Sequence, residues 1–503
     1  MLSWKFLLNI FSVFIATFIL ILLFYKKRFN YWKNRGIEYL EPSIIYGNTK
    51  ENFTKGQSFG TALAEVYHRM KAKNLIHAGY YLFHRPGYIP IDLKLIKLIM
   101  QVDFAHFTDR PGYINEKDDP LSAHLGALGG ERWRSLRVKL TPTFTSGKLK
   151  LMFPIMVEIS NELIKVLDKE CQNGPVEAKD ISARYTTDVI GTCAFGLDCN
   201  SLKDPNTEFR TKGSRAFELT RLEQLSGFVG FLFPDFAKFC GIRQLPKEAS
   251  DFFLNIIRNN VEFREKNNFR RNDAFQMLLD MKNEENDSNT RLTFNELAAQ
   301  AFVFFGGGFE TSSTTMSFVL LELALNQDVQ IKLRDEINTV MNRYNNEIVY
   351  EALGEMQYLD MVINESLRKY PPIPINSREC NKDYKVPNTD LVLPKGQAVF
   401  IPTQGIHYDP EYYPDPEKFD PMRFSVENMS KLPQFAFMPF GGGPRICLGQ
   451  RFALIQSKVG LISLVQNFKF KINSKTEIPV KLDPVKFFTG TIGGLWLDVE
   501  RIN

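Results

Sequence analysis

Residues 6–25 read FLLNIFSVFIATFILILLFY and carry no charged side chain. A helix of about twenty residues spans ~30 Å, the hydrocarbon thickness of a bilayer. Lys26, Lys27 and Arg28 follow at once, and only Lys5 precedes the run. Lysine and arginine are retained on the cytosolic side, so the stretch reads as one transmembrane helix with the rest of the chain in the cytosol. A cleaved signal peptide is the rival reading. It calls for a shorter apolar core and a small-residue cleavage site after it, and neither is present. The chain then divides into an anchor, 1–25, a basic and aromatic linker, 26–48, and a body, 49–503.

A chain of 503 residues suggests several domains on length alone. Yet the body has no Pro/Gly/Ser-rich break, repeat or low-complexity tract, and it reads as one domain. Most of 130–370 has helical character. Short strands are expected at Leu391–Leu393 and Ala398–Ile401, on either side of Pro394–Lys395–Gly396, and in the tail from 469 onward. The expected fold is mainly α with a small β part. The net charge is only +5, and no basic tract interleaved with aromatics occurs, which argues against a nucleic-acid partner. The scattered cysteines, 171, 193, 199, 240, 380 and 447, form no C-x-x-C pair and no disulfide framework. Since no Cys/His cluster has zinc-ligand spacing, any metal must arrive inside a cofactor.

One helix is expected from the capping box Thr293-x-x-Glu296 to about Asn326. Gly306, Gly307 and Gly308 interrupt it, each costing roughly 1 kcal/mol against alanine. Close packing of a neighbouring helix is one reason for them. A flat group lying on the backbone is the other. Glu310 and Thr311 follow, and Thr311 can bond back to the Gly307 carbonyl, so the turn is suited to moving protons.

The stretch FMPFGGGPRICLGQRF, 437–452, sets Cys447 in a glycine-rich loop that leads into an apolar helix. A metal-binding cysteine acts as a thiolate, and backbone N–H groups and a helix N-terminus stabilise that charge. The same pattern is compatible with a plain loop. However, Phe440-x-x-Gly443-x-Arg445-x-Cys447-x-Gly449 resembles the haem-binding signature of the cytochrome P-450 superfamily. Glu365-x-x-Arg368 resembles its E-x-x-R element, and Pro421–Phe424, with Arg423, the partner of that element. Trp133-x-x-x-Arg137 resembles the helix that binds a haem propionate, and Gly307–Ser312 the oxygen-binding groove. These elements stand in the family's order across nearly the whole chain. Arg184–Ile190, Leu140–Lys148 and Asn115–Leu121 resemble the insect microsomal, xenobiotic-metabolising branch.

That resemblance implies a single P-450 domain holding haem b, with Cys447 as the iron ligand. Trp133, Arg137, Arg445, Arg378, Arg110, Phe440 and Gly308 would bind the cofactor, and Glu310 and Thr311 would relay protons. The implied activity is insertion of one oxygen atom from O2 into small hydrophobic substrates, such as xenobiotics, plant toxins, insecticides, lipids or hormones. Electrons would come from NADPH through a flavoprotein reductase, with cytochrome b5 as a second donor, because the chain has no nucleotide fingerprint of its own. The implied location is the endoplasmic reticulum membrane, with lipid as a partner. A haem-thiolate isomerase or dehydratase and a non-catalytic haem sensor are the alternatives; the first tends to lose the acid–Thr pair that this chain keeps. His407 belongs to a structural loop. Gly307 and Gly126 stand where larger residues are usual, so both should widen the space above the iron. Arg132, Arg134, Lys139, Arg445, Arg451 and Lys458 are candidates for a reductase-docking patch or ordinary solvated charge. Phe228, Phe231, Phe233, Phe236 and Phe239 are candidates for a pocket roof that dips into lipid or for plain core.

Overall fold

The computed structural model describes residues 4–283, 291–484 and 486–502; residues 1–3 of the expected anchor lie outside this set. The first helix, α1 (Trp4–Phe29), is apolar along its length and ends on Lys26, Lys27 and Arg28. Its most apolar window has no residue covered by the rest of the protein, which is the reverse of a core helix.

The helical layer is built around α6 (Phe294–Leu325), the longest element among the described residues after which the chain was expected to turn at Asn326. Its capping box forms as the sequence predicts: Thr293 Oγ1 accepts from the Glu296 N–H at 3.2 Å, and Glu296 accepts from the Thr293 N–H at 2.9 Å. Around it pack α3 (Ala178–Ile190), α7 (Gln357–Lys369) and α8 (Gln450–Asn467), while α2 (Gly130–Leu140) adds Trp133, Leu136 and Leu140 to the same apolar core. Helices α4 (Arg221–Leu232) and α5 (Pro234–Phe239) lie nearer the surface.

The strands are β1 (His77–Leu82), β2 (Arg85–Pro90), β3 (Val176–Glu177), β4 (Asn376–Glu379), β5 (Tyr384–Lys385), β6 (Val392–Leu393), β7 (Ala398–Ile401), β8 (Phe468–Ile472) and β9 (Trp496–Arg501). They form sheets of order β1-β2-β7-β4, β3-β9-β8 and β5-β6. The two strands flanking Pro394–Gly396 exist as expected but do not pair with each other. β6 joins β5, while β7 runs parallel to β2, with Gly87 opposite Ala398, and antiparallel to β4, with Arg378 opposite Val399. That last register puts Arg378 in the middle of a sheet edge facing the interior, fully buried.

The segment expected as a linker is docked. Trp32 is fully buried, its indole N–H donates to the Tyr80 carbonyl at 3.2 Å, and the Tyr31 hydroxyl donates to Gln397 at 3.0 Å. A Cβ at Gly79 would fall 2.4 Å from the Trp32 ring, so this strand carries glycine where the indole lies on it. The physical reason is the aromatic content of residues 29–39: Phe29, Tyr31 and Tyr39 pack with Trp32 against Tyr81 and Tyr88. Buried aromatics outweigh the freedom of a tether.

Candidate functional site

Cys447 lies deep in the protein, yet its side chain has open surface, so it faces an internal hollow rather than packed core. Its N–H donates to the Phe440 carbonyl at 2.9 Å, which closes the loop. Gly443 shapes the approach: its φ is +66°, and a Cβ there would stand 1.8 Å from the Met100 carbonyl oxygen. Only glycine fits such a place. Burial pushes the Cys447 thiol up, while the Gly449 N–H and the charges of Arg137 and Arg110 pull it back toward the thiolate. The backbone donor expected for the sulfur is therefore present, supplied by the residue just before α8.

Beside the sulfur lies a collection of guanidinium groups, none of them in an ion pair among the described residues. Arg445 is buried; its Nε donates to the Thr108 carbonyl at 2.6 Å and its plane covers the Trp133 ring at 4.5 Å. Burial, then the charge of Arg110, pushes it down to about 9. Arg378 is fully buried and held well below its usual value by burial, then by Arg110 and Arg445. Arg110 is depressed by burial and by Arg137, and Arg137 by burial. The Nε atoms of Arg110 and Arg378 have no hydrogen-bond partner. The neighbouring acid, Asp109, is already engaged by the Gly130 N–H at 2.7 Å and the Thr108 hydroxyl at 2.8 Å. Buried cations without counter-ions are strongly unfavourable, so this cradle fits a ligand that brings its own carboxylates.

The opposite wall is α6. The side of that helix with open surface runs Val303, Gly307, Glu310 and Thr311, a helical stripe in an otherwise buried element. The glycine triplet divides between the two expected causes. A Cβ at Gly306 would meet Phe217 at 2.6 Å and one at Gly308 would meet Ile190 of α3 at 2.5 Å, whereas one at Gly307 would meet nothing within 4 Å. Gly308, expected at the cofactor, therefore sits against α3, and its carbonyl accepts from Gln456 of α8 at 2.9 Å. Gly307 is the glycine that leaves room for a flat group. Thr311 Oγ1 donates to the Gly307 carbonyl at 2.5 Å, the back-bond read from the sequence, and α6 continues through it unbroken.

Glu310 does not stand free. Lys179, at the start of α3, reaches its carboxylate at 3.0 Å and also donates to the Glu310 carbonyl at 3.0 Å, Ser313 at 2.7 Å and Thr314 at 2.8 Å. No local pattern points to this lysine, since the contact spans more than a hundred residues. Gly126 also differs from expectation. A Cβ there would meet the His124 ring at 3.0 Å, so the space left by the missing side chain is filled by an imidazole. Phe302, Phe304 and Phe305 of α6 are buried, and Phe305 stacks on Phe309 at 5.2 Å, so they are core.

Behind the cradle, Arg368 grips Glu365 through two hydrogen bonds of 2.7 and 2.9 Å, with both side chains fully buried, and Arg423 approaches the same carboxylate at 3.4 Å. His407 is structural, accepting from the Met438 N–H at 3.0 Å. Of the candidate docking charges, Arg445 belongs to the cradle and Lys458 is buried on Asp360 at 2.7 Å, so neither is available to a partner, whereas Arg134 and Arg451 are exposed. Phe233, Phe236 and Phe239 are exposed rather than core, while Phe228 packs on Phe53 and Phe83.

A cysteine at a glycine-shaped loop, a buried cradle of arginines and a helix with one bare turn fit a haem held through sulfur and carboxylates. Comparison with known proteins agrees. The family model for cytochrome P450 matches residues 52–496. Cytochrome P450 6A1 of Musca domestica is 44% identical over 493 residues, 96% of each chain. Cytochrome P450 6a9 of Drosophila melanogaster is 43% identical over 510 residues, 98% of this chain and all of the relative. The chain belongs to the cytochrome P450 family. It is accordingly a haem-thiolate monooxygenase, with haem iron as its prosthetic group.

Proposed function

We propose that this chain is a membrane-bound monooxygenase of small hydrophobic compounds, held on the cytosolic face of the endoplasmic reticulum and reduced from NADPH through a flavoprotein reductase, with cytochrome b5 as a second donor. The observation that carries this reading is the coincidence of Cys447 with the cradle of Arg110, Arg137, Arg378 and Arg445, none of them in an ion pair among the described residues. The exposed α1 and its terminal Lys26, Lys27 and Arg28 support attachment with the body on the basic side. Exposed Phe233, Phe236 and Phe239 suit an apolar substrate arriving from lipid.

When bound, the haem supplies the activation of O2, and thiolate ligation favours O–O cleavage. The protein's own tasks are these. Cys447 would hold the iron, and the Gly449 N–H stabilises charge on its sulfur. Trp133 and the arginines would hold the carboxylates of the haem. Gly307 leaves α6 bare where a flat group would need room, and Gly308 packs α6 on Ile190 of α3 and bonds it to Gln456 of α8. Thr311 holds a proton at Oγ1, one residue from Glu310, whose carboxylate Lys179 keeps in place. The retained acid–hydroxyl pair favours a monooxygenase over an isomerase or dehydratase. Phe440 supplies the carbonyl that closes the Cys447 loop.

The test begins with the carbon monoxide difference spectrum of the reduced membrane protein. A strongly red-shifted Soret band is expected, and Cys447→Ala should abolish it. Substrate-dependent NADPH consumption with added reductase should follow. Product formed from a hydroperoxide without NADPH, and no turnover with reductase, would overturn the monooxygenase assignment in favour of the isomerase class.

A further inference from the structure

The loop 123–126 presents a polar group that the mechanism has not used. Gln300, fully buried on α6, clamps this loop: its carbonyl accepts from the Leu125 N–H at 2.8 Å and its amide donates to the Ala123 carbonyl at 3.5 Å. The backbone around His124 is thus fixed to the long helix. The imidazole then folds back over Gly126, and the Gly126 N–H donates to its Nδ1 at 3.1 Å. A neutral imidazole that accepts at Nδ1 carries its proton on Nε2. Burial, then the neighbouring charge of Arg110, holds His124 at about 4, so it is neutral at physiological pH. Its Nε2–H has no hydrogen-bond partner among the described residues and is not sealed by protein atoms. As with Cys447, a deep side chain with open surface faces the internal hollow.

Gly126 joins His124 to the cradle. Its N–H holds the imidazole, and its carbonyl accepts from Arg110 Nη1 at 3.3 Å. The Nε of Arg110 is itself without a partner. Two unanswered donors, one cationic and one neutral, therefore flank a single glycine. A larger residue at 126 would deny the ring this position, because its Cβ would stand 3.0 Å from both Cε1 and Nδ1.

We propose that His124 is a further cofactor-binding residue, donating Nε2–H to the haem carboxylate that Arg110 holds, and that Gly126 is the residue that permits it. The assignment rests on haem in the Cys447 pocket, which the carbon monoxide spectrum tests separately. A hydrogen bond to a charged acceptor is strong enough that its removal should change haem affinity roughly ten-fold to a hundred-fold.

The experiment measures the rate at which ferric, substrate-free holoenzyme loses haem to excess apomyoglobin, in full-length variants that retain the red-shifted carbon monoxide band. His124→Ala is expected to release haem roughly ten-fold faster or more. His124→Gln, whose amide can donate from a similar place, should stay near the wild-type rate. Gly126→Phe, which pushes the imidazole aside without touching its chemistry, should behave like His124→Ala. Release from His124→Ala at the wild-type rate would overturn the proposal. So would fast release from both His124→Ala and His124→Gln, which would mark the ring as packing rather than a donor. An effect confined to binding of carboxylate-bearing ligands, with haem release unchanged, would assign the donor to substrate and also overturn it.

Discussion

Acid should weaken the fold at His407 and carry the thiolate loop with it. His407 is fully buried; its Nε2 accepts from the Met438 N–H at 3.0 Å and its Nδ1 donates to the Arg368 carbonyl at 3.2 Å. A second ring proton would have no acceptor and would point at the Met438 N–H. Burial, with the charge of Arg368 added, pushes the ring down to about 3, against about 6.5 in an unfolded chain. The unfolded chain therefore takes up a proton that the folded one refuses. The resulting stability is complete above pH 6.5 and is lost as pH falls toward 3. Integrated from pH 7 to pH 5 the loss is ~2 kcal/mol, nearly independent of how far below 4 the folded value lies. His407→Gln can keep a donor and an acceptor but does not titrate. Urea denaturation of the holoenzyme at pH 7 and pH 5, followed by the thiolate carbon monoxide band, should show wild type losing ~2 kcal/mol more than His407→Gln between the two. Met438 opens the stretch that leads to Cys447, which makes the band a local probe. Equal losses in both proteins would refute the reasoning.

Gly443→Ala should cost at least ~3 kcal/mol, from a left-handed backbone and a clash with the Met100 carbonyl, and should be read as a fall in the fraction of protein with the red-shifted band. Thr311→Ala should keep haem and that band but divert NADPH from product to reduced oxygen; full coupling would contradict the role given to its hydroxyl. Lys179→Met leaves Glu310, Ser313 and Thr314 without their shared donor and should lower stability by ~1–3 kcal/mol, a cost partly recovered by adding Glu310→Gln. Reversing charge at Arg134 and Lys139 should raise the apparent KM for reductase, and an unchanged KM would remove them from the docking surface.

The parts of the site written locally were legible in the sequence. The Cys447 loop, the Thr293 capping box and the Thr311 back-bond each depend on residues within a few positions of one another. Arg110, Arg378 and Arg445 needed the family pattern, because only the fold brings their three distant segments together. Which glycine faces the hollow was not legible: Gly307 and Gly308 differ by one step around α6, and the packing of Ile190 decides between them. Lys179 and His124 were invisible for the same reason, as their partners lie on other elements or depend on a side chain that is missing at 126. Charge alone could not tell docking from burial, so Arg445 and Lys458 were grouped with exposed residues although both are inside.

Trp32 has a practical side for anyone shortening the chain to obtain a soluble enzyme. The packed structure takes in this indole, well before residue 52, where the family match starts. A deletion ending near residue 28 removes the oily helix and spares the tryptophan. One ending near residue 48 unplugs the sheet, leaving Tyr81 and Tyr88 uncovered and a glycine strand with nothing to lie against it. Such a trimmed protein would be soluble in design and sticky in the tube.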